Sequence, residues 1–357
     1  MFNKMILRLF PSLVLLVTAV RHVDSSTNPK KTRADFLVQG LETMYPVFDQ
    51  YKGDLYAGTL STDKPGSANK DKQGGSLMFF YWDPEPVGES FVDDSLVFWF
   101  NGGPGCSSVA GMFFENSPIT IPLHGAGFAG PSRANDPFVH NPYGWTNATR
   151  IVYMEQPHGV GFSTGPEPQT EADVARDFYH FLQHFYQVFD DVSDKQLFLF
   201  GESYAGYYVP SMAHKIHQEN KQQDSSNCIN LAGIALGNGW VDAAVQGPAL
   251  VQYAWWHGLI DTTTRKALEA QWADCQSGNT KNLPSPLHPF TTPDDCGMVG
   301  AVVEAAGGGI LTDDYGYGPF DFPGLNIYDV STWDGYAVLF DENSTNSPFF
   351  NDPTVQK

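Results

Sequence analysis

Apolar residues along this chain follow two rhythms. Short runs rich in β-branched and aromatic residues, Leu77–Trp82, Leu96–Phe100, Ile151–Met154, Leu197–Phe200 and Leu231–Leu236, read as β-strands. The last four are continuous rather than alternating, the pattern of central strands covered on both faces. Between the third and fourth runs, Val174, Phe178, Phe181, Leu182, Phe185, Val188 and Phe189 recur at helical spacing, and Thr170 with Asp173 supplies a capping-box start. Strand, helix and strand in succession predict a βαβ unit in a parallel sheet. From Val241 onward the rhythm changes to a helical stretch over Thr262–Ala273 and then a Pro/Gly/Asp-rich loop through Pro323, which reads as an insertion sitting on the sheet. There are no internal repeats.

The two ends carry their own signals. Lys4 and Arg8 precede an apolar stretch from Leu9 to Val20, broken by Pro11, Ser12 and Thr18. This is too short to span a bilayer and reads as a secretory signal over residues 1–25, cleaved between Ala19 and Ser26. No later run reaches the roughly 18 apolar residues of a spanning helix, so the mature protein is expected to be free of the membrane, secreted or vacuolar. The sequons at Asn147 and Asn343 predict N-glycosylation. Four cysteines, Cys106, Cys228, Cys275 and Cys296, allow three full pairings, and none lies in a CxxC spacing, which argues against zinc. The bridge expected is Cys275–Cys296, bracketing a Pro-rich loop, with Cys106 and Cys228 free and buried. At the other end, Pro353 after Asp352 looks like a first helical turn, so the sequence is expected to stop within an element.

Composition narrows the function. The chain has 357 residues, 42% hydrophobic, 14% aromatic and 17% charged, which suits a globular α/β protein with a full core. Its 35 glycines and 25 prolines exceed ordinary usage and predict many turns. A formal charge of −20 lacks the basic footprint that nucleic acid or anionic lipid requires, so both are excluded as partners.

The chemistry concentrates at two places. Phe198–Phe200 runs into Gly201-Glu-Ser-Tyr-Ala205 and then a helix-compatible segment. Small neighbours let such a turn close, and Ser203 would stand proud at a helix N-terminus as in a nucleophile elbow. The strand ending Val97–Phe100 opens into Asn101-Gly-Gly-Pro-Gly105 at the same sheet edge, where glycines let backbone N–H groups approach a developing oxyanion.

With these residues in view, the sequence resembles the serine carboxypeptidase family, particularly its fungal secreted members. The matching stretches are Asn101–Ser108, Glu115–Pro118, Asn141–Asn147, Glu155–Ser163, Gly201–Gly206 and Gly237–Trp240, in family order. The resemblance implies an α/β-hydrolase core with a mostly parallel sheet. It also implies release of C-terminal residues from peptides through an acyl-enzyme on Ser203, with no metal or cofactor. The N–H groups of Gly103 and Tyr204 look like the oxyanion hole, and Asn101, Glu115 and Glu202 look like the group that binds the substrate's terminal carboxylate. Two carboxyls held together cannot both ionise cheaply, so one is expected to keep a proton and donate it to that carboxylate. The domains expected are a core over 33–240, a cap insertion over 241–330 and a truncated return to the core over 331–357. In this fold the aspartate and histidine of the triad follow the serine, and the resemblance places both beyond Lys357 with the last strands and helices, so the chain as given is expected to be inactive. The alternatives are a secreted, non-catalytic peptide-binding remnant and an acyltransferase using the same serine.

Other histidines do not fill the gap. His214 and His217 ride away from the elbow on its helix, His257 lies in Trp255–Gly258 outside the family's catalytic set, and His288 lies in the Pro-rich loop. His180 and His184 have metal-ligand spacing but no third ligand, so they read as a solvated face. Gly125–Gly130 matches GxGxxG, yet Pro131 follows and no helix does.

Overall fold

The computed structural model describes residues 31–66, 74–86, 91–121, 138–224, 228–277 and 296–306. The proposed signal segment, the Asn343 sequon, His288, the Gly125–Gly130 motif and the stretch 331–357 lie outside these. The chain divides into two compact units, the first holding residues through Gly239 and the second beginning at Trp240.

The described residues of the first unit form eight strands: β1 Gly53–Ser61, β2 Ser76–Pro84, β3 Ser95–Phe100, β4 Ile119–Thr120, β5 Val139–His140, β6 Arg150–Glu155, β7 Gln196–Glu202 and β8 Leu231–Gly237. Six of them form one sheet in the order β1-β2-β6-β3-β7-β8, while β4 and β5 pair as a small ribbon. β1–β2 and β2–β6 are antiparallel; β6–β3, β3–β7 and β7–β8 are parallel. The five apolar runs read from the sequence are all strands of this sheet. β1 is additional, and among the described residues Leu231–Leu236 is not central: β8 is the last described strand on its side, with Ala232, Ile234 and Ala235 exposed.

The helix predicted between β6 and β7 is α1, Glu171–Val188, and the helix leaving β7 is α2, Ala205–Asn220. At the start of α1 the Thr170 hydroxyl accepts the Asp173 N–H at 3.2 Å while the Asp173 carboxylate accepts the Thr170 N–H at 3.0 Å. These bonds satisfy two orphan groups of the first turn. Its apolar face, Val174, Phe178, Phe181, Leu182 and Phe185, is buried against the sheet with Phe79, Phe98 and Phe100. Phe98–Phe185, Phe100–Phe178 and Phe79–Phe185 meet edge-on at 5.3, 5.2 and 5.6 Å between centroids. Each buried ring contributes about 1.5–3 kcal/mol by burial, and edge-on pairing adds to it.

At the opposite end of the strands from Ser203, ion pairs tie the elements together. Asp83 at the end of β2 accepts Arg33 and, at 2.9 Å, Arg150 at the start of β6. Arg150 also reaches Asp93 at 2.8 Å, and Arg33 reaches Asp191.

In the second unit α3 (Ala243–Trp256), α4 (Thr262–Gln276) and α5 (Met298–Ala305) pack around Val251, Ala254, Ile260, Leu268, Met298 and Val302. Asp242 and Asp261 cap α3 and α4 by accepting the N–H groups of Val245 and Thr264. The Cys275–Cys296 disulfide is present, closing this unit. Cys106 and Cys228 are free as expected, but not both buried: Cys106 is half-buried and Cys228 is exposed.

Candidate active site

β3 and β7 run parallel with Phe100 beside Gly201, so the segments that follow them meet at one edge. Ser203 follows β7 with φ of 58°, a left-handed conformation rare outside glycine, and α2 begins two residues later. The elbow is pinned from β8, since the Ser203 N–H donates to the Gly237 carbonyl at 3.0 Å. Gly102 lies directly against it. A Cβ at residue 102 would stand 2.4 Å from the Tyr204 nitrogen and 2.8 Å from the Ser203 Cβ, so only glycine lets the two loops touch. Gly103 has φ of 113°, again open only to glycine. Among the described residues neither the Gly103 N–H nor the Tyr204 N–H is used by a hydrogen bond of the fold, and the Ser203 hydroxyl has no partner.

Beside the elbow, Asn101 joins two carboxyls. Its Nδ2 donates to Glu202 at 2.7 Å and to Glu115 at 3.3 Å. Its Oδ1 accepts the Trp99 indole N–H at 2.8 Å and the Gly111 N–H at 3.1 Å, which fixes the amide so that the NH2 faces the glutamates. Glu115 sits in a π-helical turn, Met112–Asn116. Glu115 is open to solvent over much of its surface, yet its carboxyl end is crowded by Glu202 and Asn101. Burial of that end and then the Glu202 charge push Glu115 up to about 7. Burial also raises Glu202, against hydrogen bonds from Glu115 and Asn101 that favour its charge. Asn101 approaches Glu202 more closely, so the shared proton belongs on Glu115 and the charge on Glu202.

The match to known sequences settles the family. A sequence model described as serine carboxypeptidase matches residues 53–356, well over half the chain. The chain belongs to the serine carboxypeptidase family. Among its carboxypeptidase relatives, serine carboxypeptidase S10 family member 2 of Dictyostelium discoideum is 34% identical over 232 residues, 63% of this chain and 38% of that protein. Serine carboxypeptidase 3 of Hordeum vulgare is 38% identical over 185 residues, 51% of this chain and 34% of that protein. The chain therefore spans less than half the length of these curated relatives. The crystal structure of Kex1, a prohormone-processing carboxypeptidase from Saccharomyces cerevisiae, covers 91% of this chain and 68% of its own, with TM-score 0.68 and 23% identity. That likeness establishes an α/β-hydrolase-type fold.

Around this candidate site the structure adds residues that sequence reasoning passed over. Tyr204 donates its hydroxyl to Glu171 at 2.9 Å, and the Tyr208 hydroxyl accepts the Gly105 N–H at 3.1 Å. Cys106 is no competing nucleophile, because burial and the charges of Glu202 and Glu155 push its thiol up to about 11. His180 and His184 are half-exposed, and besides facing solvent their ring nitrogens bond the carbonyls of Thr62 and Asp63 at 2.9 Å each, pinning the loop after β1. His214 bonds Gln218, and His257 bonds the Tyr253 carbonyl. No described group of His, Cys, Asp and Glu side chains is arranged to hold a metal, and no described helix is long and apolar enough to cross a membrane.

Proposed function

We propose that this chain carries the substrate-binding and nucleophilic part of a serine-type carboxypeptidase acting on peptide C-termini. Ser203 attacks the carbonyl of the last peptide bond, and the N–H groups of Gly103 and Tyr204 receive the oxyanion. The C–N bond then breaks to leave an acyl-enzyme, which water hydrolyses. Asn101, Glu115 and Glu202 hold the substrate's terminal carboxylate. The observation that carries this reading is the Asn101 amide locked toward two glutamates, one of them adjacent to Ser203. An exopeptidase needs such a carboxylate grip; an endopeptidase does not.

The Ser203 proton requires a base. Among the described residues no histidine is hydrogen-bonded to Ser203. The reading assigns the base, and the aspartate that orients it, to residues outside those described. It also places the protein in the secretory pathway, supported by the disulfide and by an exposed Asn147 in a sequon.

Fluorophosphonate labelling of purified protein, with Ser203→Ala as control, tests it. Labelling of the wild type that is lost in the control is the result of a competent Ser203 nucleophile. No labelling at any pH, with retained affinity for peptide carboxylates, is the result of a non-catalytic binder. Acyl transfer to a small alcohol exceeding hydrolysis is the result of an acyltransferase.

A further inference from the structure

The loop that would receive the oxyanion has little to hold itself with. Gly103 and Gly105 take positive φ values of 113° and 83°, and glycines offer no side chain for anchorage. On one side the loop is held by Tyr208 through the Gly105 N–H. On the other side lies a buried carboxyl that the proposed reaction does not use, that of Glu155 at the end of β6.

Glu155 is 1% exposed. Its Oε1 accepts the Ser107 hydroxyl at 2.6 Å and the Val109 N–H at 3.4 Å, and the Ser108 N–H also donates to the carboxyl. Ser108 closes the loop, since its Oγ accepts the Asn101 N–H at 3.0 Å. Glu155 is itself fixed at its main chain: the Ser163 hydroxyl donates to the Glu155 carbonyl at 2.5 Å and accepts the Met78 N–H at 2.8 Å. A Cβ on residue 161 would lie 1.5 Å from Glu155 Oε2, so glycine there is what admits the carboxyl. Burial pushes this carboxyl up to about 7, against three hydrogen bonds that favour its charge.

We propose that Glu155 is the positioning residue of the oxyanion loop, gathering Ser107, Ser108 and Val109 so that Asn101 and the Gly103 N–H, and the turn bearing Glu115, stand in register with Ser203. It touches no substrate and acts through those groups. The inference rests on the carboxypeptidase reading for its catalytic meaning.

The full chain and its Glu155→Ala, Glu155→Gln and Gly161→Ala variants decide it. Three quantities are measured: the rate of fluorophosphonate labelling at Ser203, calorimetric affinity for N-acetylphenylalanine against its amide, and hydrogen exchange over residues 101–111. Glu155→Ala and Gly161→Ala are expected to lower labelling rate and carboxylate affinity about tenfold or more and to speed exchange over that loop, with the sheet still protected. Glu155→Gln keeps an acceptor oxygen for Ser107 and is expected within about threefold of wild type. Wild-type labelling, affinity and exchange in a folded Glu155→Ala protein overturn the proposal, as does a glutamine variant no better than alanine. If Glu155→Ala does not fold, Gly161→Ala takes its place. A wild type that neither labels nor binds the carboxylate refutes the carboxypeptidase reading instead; exchange over 101–111 then decides the positioning role alone, and unchanged exchange overturns it.

Discussion

Glu115→Gln replaces the carboxyl that carries the shared proton with an amide that donates at every pH. In the wild type, a peptide carboxylate entering below about 7 meets the Asn101 NH2 and the Glu115 O–H; above it, the ligand meets a second negative charge. At about pH 8, one unit above that value, only about a tenth of the sites keep the proton, so affinity falls about tenfold from its acid limit, about 1.4 kcal/mol. Glu115 is open to solvent over much of its surface, and screening reduces the expected drop to about three- to tenfold. The assay is calorimetric titration with N-acetylphenylalanine and its amide between about pH 5 and about pH 8. Wild type should lose affinity for the acid and not for the amide, and the glutamine variant should lose the slope. A flat wild-type profile, or the same slope in the variant, refutes the shared-proton argument. Stability follows the same sign. The folded value lies above the reference 4.5, so this pair's favourable contribution is complete below about 4.5 and lost as pH rises through about 7.

Two further outcomes rest on other parts of the fold. Ser203→Gly removes the strain of a side chain held at φ of 58° and should raise unfolding free energy in urea by about 0.5–1 kcal/mol while abolishing labelling; a less stable variant refutes the strain. Asp83→Ala leaves Arg33 and Arg150 without their common partner and should lower stability by about 1–2 kcal/mol at low salt and less in about 1 M salt, an effect read from denaturation midpoints.

How far the fold could be read from residues varies by element, for physical reasons. The runs at β2, β3 and β6 are buried on both faces, while β7 alternates buried with half-buried residues, and all four are found within a residue or two. β1 was not legible: Asp54, Gly58 and Thr59 break its apolar character, and its strand form comes from pairing along all nine residues with β2. α3 was missed because Gly247 and Pro248 lie inside it, where packing around Val251 and Ala254 overrides propensity. Packing likewise tolerates Pro210 within α2, a helix the sequence did anticipate. At the site, residue types and motif order pointed to Ser203, Asn101, Glu115 and Glu202. Their meeting depends on the β3–β7 register, which brings Asn101 and Glu202 together across a separation of 101 residues. The Trp99 and Gly111 bonds that aim the amide, and the Glu155 anchor, leave no trace in periodicity. Glu155 lies within a matched motif, but only its contacts distinguish it from a neighbour.

The two ends of the central strands are electrically unlike. At the amino ends of β3, β6 and β7, opposite charges are paired near solvent: Asp83 with Arg33 and Arg150, Asp93 with Arg150 and Lys195. At the carboxyl ends, Glu115, Glu155 and Glu202 gather acid groups of one sign, Glu155 fully buried and the other two with their carboxyl ends crowded together. A six-residue strand separates these ends by about 20 Å, beyond the roughly 8 Å over which salt lets exposed charges feel one another. Ionic strength and pH are thus independent controls on this molecule, one loosening the scaffold from below and the other retuning the chemistry from above. A variant hardened against heat at the Asp83 end should keep the acid dependence of the Ser203 end unchanged.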